Sequence, residues 1–274
     1  MSVYHIAKQQ DVTEQWCREL YRRFDGVPLY KIKLSRPGRI PRCIPESEIE
    51  IIRNAKEKYG FGAVNLEAVL RGNHIMIPHN RIHNVLKSLD LANTEPKKSR
   101  TRKWIRYERY HSNSLWHTDY HTIRGRNIVA FEDDASRFLP GHGLFGDQTA
   151  ENAASVFENA VNLYGVPKQV VSDHGTHFVS LAREGCENPE ENAFQKKLRQ
   201  YKVEHILARI KHPQTNGKLE RWFGTLEQLT NWFQGDIERA IKFYNFERPH
   251  MSLTTSEGRL RTPYIAFLEK MRKN

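Results

Sequence analysis

Long apolar runs are missing from this 274-residue chain. Nothing approaches the roughly 20 consecutive apolar residues that a membrane helix needs, which sets the expectation of a soluble protein with no membrane partner. Cysteine is scarce as well: Cys17, Cys43 and Cys186 are scattered without a CxxC pair. That excludes a disulfide framework and a zinc knuckle and suits a reducing compartment. His74, His79 and His83 have a loose metal-like spacing but no cysteine partners, so zinc is not expected there. The N-terminus lacks a basic segment followed by an apolar run, so no secretory signal is expected and the predicted location is cytoplasmic, in association with the nucleoid. Internal repeats and low-complexity segments are absent too. Acidic residues are in deficit, with 32 Asp and Glu against 43 Lys and Arg for a net charge of +11. Residues 1–111 hold 22 basic and 12 acidic residues, a net of +10, leaving +1 for the remainder. A positive field concentrated in one part of a chain points to a polyanionic partner, because each phosphate it neutralises releases condensed counterions.

What is present divides into regions. Residues 11–26 read as a short helix with Val12, Trp16, Leu20 and Phe24 on one side and Gly26 as its stop. A basic, turn-rich connector, Ser35 to Pro41, follows. Residues 45–91 carry a tri-helical pattern: a helix opened by Pro45 with Ile49 and Ile52, a short one from Val64 to Leu70, and an amphipathic one after Pro78 with Ile82, Val85, Leu86 and Leu89. Asn80, Arg81 and Asn84 lie on the polar side of that last helix, and Asn and Arg can form paired bonds with adenine and guanine edges. A helix-turn-helix that binds DNA follows as the expectation, against the alternative of a plain helical bundle with a solvated face. Next comes a tract from Pro96 to His111 in which Lys97, Lys98, Arg100, Arg102 and Lys103 are among seven basic residues interleaved with Trp104, Tyr107 and Tyr110. Such a tract can pair phosphates and stack bases, and it can equally serve as a linker whose rings dock on the next domain.

From about Leu115 the texture changes to short β-like runs at 115–123, 127–131, 138–145 and 169–172, with a helix from about Thr149 to Tyr164 before the last. Strands followed by helix, strand and further helices describe a sheet covered by helices. Asp119 lies inside an apparent strand, where a charge is out of place unless it faces a site. Asp173 ends another strand, at the edge where such sheets place ligands. Glu220 lies on a helix whose packing stripe is Leu219, Phe223, Leu226 and Thr230. Converging carboxylates need a cation, and hard oxygen donors select Mg2+ or Mn2+. Taken singly these residues assign nothing, since an Asp at a strand end is often a turn former and a helix Glu is usually solvated.

Five ordered blocks bring them together. They are Trp116-His-Thr-Asp119, Asp133-Asp-Ala-Ser-Arg-Phe138, Val171-Ser-Asp173-His-Gly-Thr-His-Phe178, His212-Pro-Gln-Thr-Asn-Gly-Lys-Leu-Glu220-Arg221, and Tyr244-Asn-Phe-Glu-Arg-Pro-His250 with Thr262-Pro263. Over about residues 112–268 they resemble the integrase core of retroviruses and of retroviral-like insertion-sequence transposases. The resemblance implies an α/β, RNase H-like mixed sheet flanked by helices, and a DDE mechanism in which Asp119, Asp173 and Glu220 bind two Mg2+ (or Mn2+) ions per active site. It also implies that Lys218 contacts DNA, that Asn216 and Gly217 form a loop over the site, and that the turn at Asp133 and Asp134 is structural. His177 stands where the family usually has Glu or Gln, the 46-residue interval between Asp173 and Glu220 is longer than the retroviral one, and the retroviral His/His/Cys/Cys zinc segment is missing.

The expected organisation is a partial helical DNA-binding segment at 1–40, a helix-turn-helix at 41–92, a basic linker at 93–111 and the catalytic core at 112–274. The expected function is a transposase or integrase that hydrolyses phosphodiesters and joins strands, acting as a homo-oligomer on the double-stranded DNA of element ends and target. The alternative is a sequence-specific DNA-binding regulator with an inactive core; a nuclease of the same fold that cleaves without joining is a third possibility.

Overall fold

The computed structural model describes residues 2–28, 31, 43–92, 108–180, 190–208 and 217–271. The connector at 35–41, all but the last residues of the basic tract, and residues 181–189 and 209–216 of the long stretch between Asp173 and Glu220, Asn216 among them, lie outside the described residues. Contacts divide the chain into two compact units, residues 1–45 and 46–274. In the first, α1 (Val3–Gln9), which the sequence reading did not foresee, precedes α2 (Glu14–Phe24), whose first turn is capped by the Thr13 hydroxyl accepting from the Trp16 N–H at 3.3 Å. The anticipated stripe on α2 is not sealed, for no α2 residue is buried and Trp16 is half exposed.

The second unit opens with three helices, α3 (Glu46–Tyr59), α4 (Ala63–Gly72) and α5 (His79–Ser88). Glutamates in the first turn of α3 and lysines in its last complement the helix dipole, and Gly60, at φ +65°, ends it in the left-handed region. Ile52, Leu66, Leu70, Ile82 and Leu86 interlock as the core of this trio. It rests on the rest of the unit through Gly60 against the Trp232 ring and the Arg248 guanidinium 4.7 Å from the Phe61 ring centroid.

The remainder is built on a five-stranded sheet in the order β3-β2-β1-β4-β5. The strands are β1 (Trp116–Ile123), β2 (Arg126–Asp133), β3 (Gly141–Phe145), β4 (Gln169–Ser172) and β5 (Glu204–Leu207). β1 to β3 form an antiparallel meander, and β4 and β5 add on the other side of β1 in parallel. The parallel additions need crossovers, and α6 (Ala150–Tyr164) and α7 (Ala193–Gln200) lie in those connections. α8 (Gly217–Trp232), α9 (Ile237–Lys242), a π-helical turn at Phe243–Glu247 and α10 (Pro263–Glu269) complete the unit. This is the RNase H-like mixed sheet that the resemblance implied.

One face of the sheet packs Trp116, Val129 and Phe131 against α6, Phe178 and Phe194; the other packs Ile128 and Ala130 against α8 and α9. Two boundaries moved. β2 continues to Asp133, and β3 starts at Gly141, because residues 133–138 form a tight turn. The Asp133 carboxylate holds that turn by accepting from the Asn113 and Ser136 N–H groups and the Ser136 hydroxyl. Phe138, expected in a strand, instead fills a ring cluster with Tyr164, Tyr264 and Phe267. Among the described residues no helix is long and apolar enough to cross a membrane.

Candidate active site

Sheet register brings the two aspartates side by side. β1 and β4 pair in parallel with Trp116 opposite Val170 and His117 opposite Val171. Carried two residues further, that register sets Asp119 beside Asp173, the residue that follows β4. Neighbouring strands are about 4.8 Å apart and residues of one row share a face, so the two carboxylates start from adjacent backbone positions. The loop then fixes Asp173: its Oδ1 accepts from the Gly175 N–H at 2.9 Å. A Cβ at Gly175 would lie 2.6 Å from the His177 ring and 3.0 Å from Asp173 Oδ1, so this close turn requires glycine. His177 packs its ring against Tyr120 and Phe178, and burial lowers its pKa.

Glu220 arrives from the helix. Side chains alternate along β1, so Trp116 and Tyr120 enter the aromatic layer while His117, Asp119 and His121 face α8. At one end of this row His117 and Lys218 both bond the Asp134 carboxylate. At the other, His121 Nε2 lies 2.9 Å from Glu227 Oε1 and stacks on Phe223 at 4.6 Å. From 218 to 227 is about 13 Å of helix and from 117 to 121 about 13 Å of strand. The two therefore run in step, and Glu220, exposed on the first turn of α8, lies close enough to Asp119 for its charge to be felt there.

The electrostatics agree with that placement. Burial pushes the Asp119 carboxyl up to about 7, helped by the negative charges of Asp173 and Glu220 and partly offset by the Tyr120 N–H. Hard divalent cations prefer such oxygen donors, and a cation would relieve the repulsion at Asp119. Among the described residues, however, no three His, Cys, Asp or Glu side chains are gathered as the ligands of one ion. The donor set fits a divalent cation in its chemistry, with Asp119 and Asp173 partly buried and Glu220 exposed.

The family model described as integrase core domain matches residues 109–213, a stretch that contains β1 to β5, Asp119 and Asp173. Residues 109–213 thus carry an integrase core domain. Among curated proteins, "Putative integrase ORF3" of Spiroplasma virus SpV1-C74 is 26% identical over 141 residues, covering 46% of this chain and 39% of that protein. An uncharacterized protein of Archaeoglobus fulgidus is 30% identical over 94 residues, 34% of this chain and 67% of the other. The chain thus spans about two fifths of the viral relative's length. Solved structures with similarity include the HTLV-2 integrase catalytic core domain in complex with magnesium (19% identity, 52% of this chain and 92% of that one, TM-score 0.41). The catalytic core domain of BIV integrase is 20% identical, covering 57% and 95%, with a TM-score of 0.45.

Within this integrase core, Asp133 and Asp134 are nearly inaccessible and held by protein donors. Burial would raise the Asp134 carboxyl, but the His117 hydrogen bond and the Lys218 charge outweigh it and hold it well below the usual carboxylate range. Lys218 is thereby turned inward, its side chain 18% exposed. On α5, Asn80 and Asn84 are exposed together with His83 and Lys87, whereas Arg81 gives both its bonds to Glu48 at 2.9 and 3.1 Å. Lys97, Lys98, Arg100, Arg102, Lys103 and Asn216 lie outside the described residues. Glu227 falls on the same open helix face as Glu220 in the sequence, but its pairing with His121 and that of His117 with Asp134 are not read from it, although the alternation His-x-Asp-x-His along β1 was an available signal for the two histidines.

Proposed function

We propose that this chain is a DNA transposase or integrase that hydrolyses phosphodiesters and transfers strands at the ends of a mobile element. The observation that carries the reading is the parallel register of β1 and β4, which leads toward Asp119 and Asp173 on adjacent strands, with Glu220 on α8 near enough to add its charge at Asp119. Asp119, Asp173 and Glu220 would hold a pair of Mg2+ or Mn2+ ions. Bound there, such ions activate an attacking hydroxyl and stabilise the leaving oxygen. This chain's own contribution is positional: the sheet sets the spacing of the aspartates, the Gly175 N–H orients Asp173, and α8 delivers Glu220.

The helical trio α3 to α5 and the basic tract after it are proposed as the DNA-binding part. Asn80 and Asn84 would read base edges and the lysines and arginines of residues 97–103 would meet phosphates. Processing two ends together calls for more than one copy of the chain. The alternative, a sequence-specific DNA-binding regulator with an inactive core, draws on the exposed face of α5 and the open spacing of the three carboxylates.

A direct assay separates them. Purified protein is incubated with Mg2+ and duplexes carrying the inverted repeats that flank its gene, and products are resolved by length. Wild type is expected to nick at the 3′ end and join strands, and Glu220→Gln to do neither. Binding without cleavage favours the regulator, cleavage without joining a nuclease, and equal products from Glu220→Gln remove the active-site assignment.

A further inference from the structure

Asp134 is 1% exposed and lies in the turn that follows β2, away from the carboxylate row of the proposed site. Its partners come from three separate parts of the chain. Oδ1 bonds His117 Nε2 at 2.8 Å and accepts from Lys218 Nζ, and Oδ2 accepts from the Arg109 N–H. His117 is two residues before Asp119 on β1, and Lys218 is two residues before Glu220 on α8. A single carboxylate therefore ties together the strand and the helix that deliver two of the three acidic groups, one step away from each.

The turn that presents Asp134 is itself anchored. Arg137 Nη1 donates to the Asp134 backbone carbonyl at 2.8 Å and Nη2 pairs with Glu108 at 2.9 Å, while Lys270 bonds both Glu108 and the Ala135 carbonyl. Asp133, next in the chain, is spent on the turn itself, so the two aspartates divide the work: one shapes the turn and the other reaches across to β1 and α8. A buried carboxylate with two side-chain donors is costly to disturb, since removing it leaves Lys218 charged and unpaired in a site with little water.

We propose that Asp134 is a positioning residue for the reaction, a strap that sets the separation of Asp119 and Glu220 through His117 and Lys218. This rests on the reading of Asp119, Asp173 and Glu220 as a divalent-cation site. It also assigns Lys218 a task different from the DNA contact implied by family resemblance: its ammonium faces the protein interior and holds the first turn of α8.

The test measures Mn2+ affinity by water-proton relaxation, DNA affinity on a nonspecific duplex without metal, and thermal stability, for wild type, Glu220→Gln, Asp134→Asn, Lys218→Met and Lys218→Arg. Partners that orient metal ligands are worth about ten- to a hundredfold in metal affinity. Asp134→Asn and Lys218→Met are expected to weaken Mn2+ binding by at least about tenfold, to leave metal-free DNA affinity within twofold of wild type, and to be partly rescued in Lys218→Arg. Should Asp134→Asn fail to fold, Lys218→Met, altered at a partly exposed position, carries the same comparison. Wild-type Mn2+ affinity in both variants, alongside a loss in Glu220→Gln, overturns the strap alone. Equal Mn2+ affinity in wild type and Glu220→Gln overturns the cation site and the strap with it. A fall in DNA affinity for Lys218→Met with Mn2+ binding intact returns the lysine to a DNA-contacting role.

Discussion

The two faces of the same strand contrast sharply in chemistry. On one side of β1, Trp116 and Tyr120 join Phe131, Phe157, Phe178 and Phe194 in a layer of rings with little polar content. On the other, His117, Asp119 and His121, with Glu132 beside His117 on β2, meet charged residues of α8. A two-residue repeat lets one strand serve both purposes, with the apolar layer supplying the free energy that the polar side consumes. Stability and chemistry are thereby separated across one backbone thickness, and substitutions on the two faces should differ in sign as well as size.

The largest effect is expected on the apolar face. Phe157 is fully buried among Trp116, Phe131, Phe194 and Tyr201. Phe157→Ala should cost about 3–5 kcal/mol, read as a lowered urea midpoint; a loss below 1 kcal/mol would mean that the layer collapses around the gap. On the polar face the sign reverses. Burial pushes the Glu132 carboxyl up to about 7, opposed by Arg137 and Lys218. A folded-state pKa above the unfolded one means that the native state binds the extra proton, so wild type should lose stability as pH rises from about 4.5 to 7. Glu132→Gln should track wild type near pH 4.5 and exceed it at pH 8 by a margin on the order of 3 kcal/mol, measured by denaturant titration at both pH values. Equal pH dependence in the two proteins would show the glutamate to be solvated.

Legibility followed the same division. Strands with strong alternation or apolar runs, β1, β2 and β4, could be read directly, as could the three helices α3 to α5 and the start of α8. β5 could not: its four residues, Glu204 to Leu207, are all at least partly exposed and carry no period that distinguishes them from a loop. Nor could the end of β2, where Glu132 and Asp133 look like a surface turn yet are buried, because Asn113, which bonds Asp133, lies 20 residues before it and Lys218, whose charge acts on Glu132, lies far along the chain on α8. Of the site, the acidic residues were visible from motif and strand context. What Lys218 and Asp134 do was not, since an ion pair across 84 residues leaves no local trace.

Two smaller changes sharpen the contrast by probing how closely α6 covers the apolar face. A Cβ at Gly143 would lie 2.6 Å from Val156 and 2.7 Å from the Phe145 ring. Gly143→Ala should therefore cost about 1–3 kcal/mol through overpacking, visible as a lower melting temperature, and a neutral result would mean that Phe145 swings aside freely. Thr149 caps α6 by accepting from the Asn152 N–H at 3.2 Å. Thr149→Ala should cost about 1 kcal/mol, with Thr149→Ser close to wild type in the same melt.

The seat of the helical trio on the core bears on how this protein can be handled. Phe61 lies beneath the Arg248 guanidinium and Gly60 rests on Trp232, so a fragment begun at residue 108 would uncover more of an indole that is already partly exposed and strip a cation of its aromatic cover. Excised cores should stick to one another at that scar, and a soluble fragment is better obtained by keeping residues 46–92 attached or by replacing Trp232 with a polar side chain.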